Sequence, residues 1–214
     1  QLLALAESGF DPLARTTRFM LTEEAHHLFV GQTGVQRVIK RSAELMNQYQ
    51  TENIAPYGGI PLVLIQKYIN HWYASSLDLF GSEVSSNAAN YFAAGLKGRA
   101  YEEKLYSEHK ALHRTYSMDV IEQNSITAKE ISLRSAMNEL LRDAYTNDAE
   151  KALNKWNKEL VSHGIDTRLT LPHKRFNRTV GEYAQSRFDV KGQLISESMW
   201  QKNKHHWLPS EEDK

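Results

Sequence analysis

The run Phe19-Met20-Leu21-Thr22-Glu23-Glu24-Ala25-His26-His27-Leu28-Phe29 limits most sharply what this chain can fold into. Its apolar residues recur at helical spacing, yet two carboxylates and two imidazoles sit among them. Unpaired charge in apolar surroundings is costly, so a fold that buries this run must also answer those groups. A carboxylate and an imidazole three residues apart share one side of a helix. Steps of four and three from Leu13 trace Leu13, Thr17, Met20, Glu24, His27 and Gly31, the inward stripe of a bundle helix. Glu23 and His26 fall on the neighbouring stripe with Phe19 and Val30. The pattern favours Glu24 and His27 as the inward pair.

Two readings of that pair stand side by side. Glu-x-x-His is the unit one helix contributes to a di-iron carboxylate site in a helical bundle. The same residues also suit an ordinary helix with a buried, hydrogen-bonded histidine and an exposed acidic pair, because so short a motif recurs by chance. The chain has no cysteine, which excludes disulfides, thiolate catalysis and cysteine-ligated clusters, and suits a cytoplasmic protein. Any metal is then left to Glu, Asp and His, a donor set that fits non-haem iron or manganese. Formal net charge is zero, so no global field draws nucleic acid or an acidic membrane. No apolar run is long enough to span a bilayer.

At 214 residues the chain can form one large domain or two small ones with a sizeable core. Its first residues, Gln1-Leu2-Leu3-Ala4-Leu5, have no Met and no basic lead, and read as a helix entered in the middle. A fragment of a longer protein is expected. Residues 2–30 read as helix, kinked at Asp11-Pro12, with Gly31 and Gly34 as punctuation. A second amphipathic helix is predicted over 35–49, with Val38, Ile39, Ala43, Leu45 and Met46 on its apolar face. After a loop at 55–61, Pro61 opens a long helix with Leu62, Ile65, Ile69, Trp72 and Ser76 on one face. Asp78-Leu79-Phe80-Gly81-Ser82 ends it, and Ser85-Ser86-Asn87 precedes another helix.

A short strand pair is predicted at 114–120 and 125–133, then a helix over 133–163 with Leu133, Met137, Leu140, Ala144, Trp156 and Leu160 as its stripe. Gly164 terminates that helix, 167–171 is extended, and Ser196 caps a last helix containing Trp200. His109 and His113 are four apart and can share a helix face, while His205 and His206 read as surface residues. Lys97 and Arg99, with His173, Lys174, Arg175 and Arg178, are either solvated charge or donors for the phosphates of a large anionic ligand such as coenzyme A. No Gly-rich phosphate loop, Gly-x-Ser-x-Gly or His-Glu-x-x-His occurs.

Several segments together resemble a known family. They are Phe10-Asp11-Pro12-Leu13-Ala14-Arg15, the run 20–31, Ser85-Ser86-Asn87-Ala88-Ala89, Gly95-Leu96-Lys97-Gly98-Arg99 and Leu171-Pro172-His173-Lys174. The chain is similar over nearly all its length to the oxygenase component of benzoyl-CoA 2,3-epoxidases, a ferritin-like di-iron family. The resemblance implies a mainly α fold: part of a ferritin-like bundle, with extra helices and a small β-hairpin. Residues 1–100 would be bundle helices carrying half of the iron site. Residues 101–214 would be a C-terminal extension packed on them. The implied activity is epoxidation of the aromatic ring of benzoyl-CoA by O2, with NADPH electrons from a separate flavin and iron–sulfur reductase, in aerobic benzoate degradation. The implied cofactor is two iron ions, with Glu24 and His27 as the family's second Glu-x-x-His. The first half of the site, and the carboxylate partner of this one, would lie before Gln1. Asn87, Lys97, Arg99, His173 and Lys174 are the candidate contacts to the acyl-CoA. The alternatives are another ferritin-like di-iron oxidase or a metal-free helical binding module.

Overall fold

A 39-residue helix, α2 (Asp11–Tyr49), is the longest element of the chain. In this computed structural model the described residues are 2–6, 8–85, 114–122 and 125–213. The other helices are α1 (Leu2–Ala6), α3 (Leu62–Asp78), α4 (Met137–Ser162) and α5 (Glu197–Trp207). Strands β1 (Thr115–Glu122) and β2 (Ser125–Ser132) form an antiparallel pair, and β3 (Arg187–Phe188) pairs with β4 (Leu194–Ile195). The chain is mainly α with a small hairpin, as the sequence predicts. It divides into two compact units, one of 1–29 with 80–143 and one of 30–79 with 144–214.

Two expectations for α2 change. Asp11-Pro12 is the start of the helix and not a kink within it: Leu13 and Ala14 N–H bond to Phe10 O, and Pro12 sits in the first turn, where no N–H is needed. Gly31 and Gly34 do not break it either. Neither has the positive φ that a terminating glycine adopts, and glycine without that geometry weakens a helix but does not end it.

In the first unit the hairpin runs in register from Thr115 opposite Ser132 to Glu122 opposite Ser125, with Met118 buried. A 3-10 turn over Leu133–Ala136 leads into α4. The start of α4 holds the stretch 81–85 by polar contacts. Asn138 donates to Ser82 O at 2.9 Å, Ser85 N–H bonds Ser135 O at 2.9 Å, and Arg142 donates to Gly81 O and Glu139. Glu83 lies 3.6 Å from the same guanidinium, and all three charged side chains are fully buried. The predicted α4 stripe therefore holds at Leu133 and Leu160, but the buried line also takes in Asn138, Glu139 and Arg142.

The second unit has an apolar core. Ile39, Ala43, Leu45 and Met46 of α2 meet Ile54, Leu62, Ile65, Leu153, Leu160, Ile165 and Leu169. On α3 the stripe runs Leu62, Ile65, Ile69, Tyr73, Leu77, and Trp72 is exposed. After Ile69 a step of four, not three, keeps pace with the 3.6-residue turn. Gly59 is needed here, because a Cβ would come within 2.6 Å of Leu45 Cδ1. Gly164, at φ 70°, ends α4 as expected. Among the described residues, the segment 167–171 pairs with no strand. Asn157 instead makes two bonds of 2.9 Å to the Leu169 backbone, and Gln66 makes two to Thr170. Phe176, Ala74 and Trp200 form a second cluster with Trp207 beside it, and Ser196 Oγ caps α5 by accepting from Met199 N.

Candidate functional site

Glu24 and His27 are brought together by one turn of α2. Oε1 of Glu24 lies 3.5 Å from Nδ1 of His27. Two donors each about 2.1 Å from one ion, at a near-tetrahedral angle, stand about 3.4 Å apart, so the pair has the spacing of a chelate. The buried line of the helix here is Ala14 and Thr17, continued by half-buried Leu21 and Glu24. It lies slightly to one side of the predicted stripe, whose Leu13 and Met20 are exposed. Thr17 satisfies its hydroxyl by donating to Leu13 O at 2.8 Å. Glu24 is 39% exposed and His27 63%. The His26 and His27 rings are 6.4 Å apart and tilted, as expected of neighbours on diverging stripes.

Among the described residues, apolar side chains on several faces of α2 near the pair are exposed. Phe19 is 74% exposed and Leu28 72%, with Phe10, Leu13 and Met20 also exposed. Among the described residues, no group of three or more His, Cys, Asp or Glu is arranged to hold a metal ion. Glu24 and His27 thus offer two donors, a partial coordination sphere.

The basic cluster takes a form the sequence did not signal. Arg175 is buried, donates to Gly192 O at 2.7 Å and lies over the Phe188 ring. Arg178 is buried against Asp78. Neither is solvated charge or a donor reaching for phosphate, because both guanidinium groups are used within the fold. Half-buried His173 anchors the turn between β3 and β4: its N–H bonds Val190 O and its Nδ1 accepts from Arg175 N, while a Cβ at Gly192 would collide with its ring. Lys174 is half-buried beside it. His205 and His206 are exposed in the last turn of α5, as predicted. Asn87, Lys97, Arg99, His109 and His113 lie outside the described residues.

Fold and site together define a mainly α protein whose longest described helix carries a carboxylate–imidazole pair on one turn. No family model matches the chain. The chain is 45% identical over 217 residues to benzoyl-CoA oxygenase component B of Aromatoleum evansii, an alignment covering 100% of this chain and 46% of that protein. The chain therefore spans about half the length of the curated relative it matches. The resemblance carried by the sequence segments thus extends over the whole chain. No helix among the described residues is long and apolar enough to cross a membrane.

Proposed function

We propose that this chain is part of a benzoyl-CoA oxygenase and supplies one half of a di-iron centre that epoxidises the aromatic ring of benzoyl-CoA. The observation that carries this reading is the converging pair, Glu24 Oε1 and His27 Nδ1 at 3.5 Å, beside exposed Met20 and Leu28 on the same side of α2. The likeness of the whole chain to about half of an oxygenase component supports it and supplies the substrate class. Glu24 would hold iron through its carboxylate and His27 through a ring nitrogen, with the other ring nitrogen free to donate to an acceptor that fixes the ring. The remaining donors come from other helices of a longer protein, which cover Met20 and Leu28 and so keep water from the site. Bound iron supplies the redox chemistry that activates O2. Electrons come from NADPH through a separate flavin and iron–sulfur reductase; the naming of the relative as component B supports a partner component. Asn87, Lys97, Arg99, His173 and Lys174 contact the acyl-CoA, and the protein works in the cytoplasm.

The test is anaerobic ferrous loading of the full-length protein, wild type and Glu24→Ala or His27→Ala, followed by iron analysis and single-turnover epoxidation of benzoyl-CoA. About two irons in the wild type, with one or fewer in each variant and at least a hundredfold loss of product, is the expected result. Variants with unchanged iron and unchanged product would overturn the assignment. Iron lost together with epoxidation in the variants, but wild-type turnover on a different substrate only, would instead keep the site and reject benzoyl-CoA.

A further inference from the structure

We draw no further inference here: the strongest candidate, the fully buried Glu83–Glu139–Arg142 side-chain cluster beneath the 81–85 stretch, is an acidic cluster answered within the chain by Arg142, and nothing observed at it points to a ligand.

Discussion

Arg178 and Asp78 are one hundred residues apart in sequence and joined by a 2.5 Å hydrogen bond. Thr179 adds its backbone N–H and its hydroxyl to the other oxygen of the same carboxylate. Burial pushes the Asp78 carboxyl up, but the bonds from Thr179 and Arg178 outweigh it and hold the group below its ordinary value. A carboxyl that is more acidic in the folded state contributes stability above its unfolded pKa of about 3.9 and loses it as pH falls through the lower folded value. Arg178→Ala leaves that carboxylate without its cation and is expected to cost about 3 kcal/mol at neutral pH, read from the urea midpoint. Asp78→Asn should flatten the acid limb of the stability profile, and an unchanged limb would show that Asp78 plays no part in it. The sequence showed Arg175 and Arg178 as a basic cluster beside Lys174. It held no sign of Asp78 or Gly192 as their partners, because pairing over such separations is a property of the tertiary fold.

Elements were most legible where local chemistry decides them. Pro61 at the entry to α3, Gly164 after α4 and Ser196 before α5 each act through their own backbone or hydroxyl, and each stands at the predicted boundary. Gly31 and Gly34 misled for the same local reason: a glycine reads as a break, yet neither takes the positive φ of a terminating glycine and α2 runs through both. Nothing lies within 4 Å of a Cβ added at Gly34. Gly34→Ala in this chain should therefore raise stability by about 0.5–1 kcal/mol, through the lower entropy of the unfolded chain and better helix propensity. A loss of stability in thermal unfolding would mean that the position is crowded after all. The C-terminal 3-10 turn over Glu211–Asp213 is held differently, by charge. Bonds from Ser210 N–H and from Lys67 Nζ lower the Asp213 carboxyl to about 2. The Lys67 contact should persist down to about pH 4 and loosen as pH falls toward 2. Amide exchange at Ser210 measures this, and Asp213→Asn should give fast exchange at every pH.

For the chain as a whole, the placement of Glu24 and His27 on one turn was readable, since helical spacing alone fixes it. Their exposure was not, because a stripe on a helical wheel does not say whether another helix covers it. Exposed Met20 and Leu28, on the Glu24 side of α2, make a physical choice testable. If this surface is covered in the longer protein, the isolated chain pays in solubility for leaving it open, and should self-associate at micromolar concentration. Replacing both residues by Ser in the isolated chain should then reduce self-association in sedimentation while leaving the unfolding midpoint within about 0.5 kcal/mol, because neither side chain is buried there. The same double substitution in the full-length protein should cost about 2–5 kcal/mol, the range for removing large side chains from a packed interior. Equal effects in the two settings would show that the surface stays open in the longer protein. The apolar surroundings that the iron chemistry requires would then have to be found elsewhere.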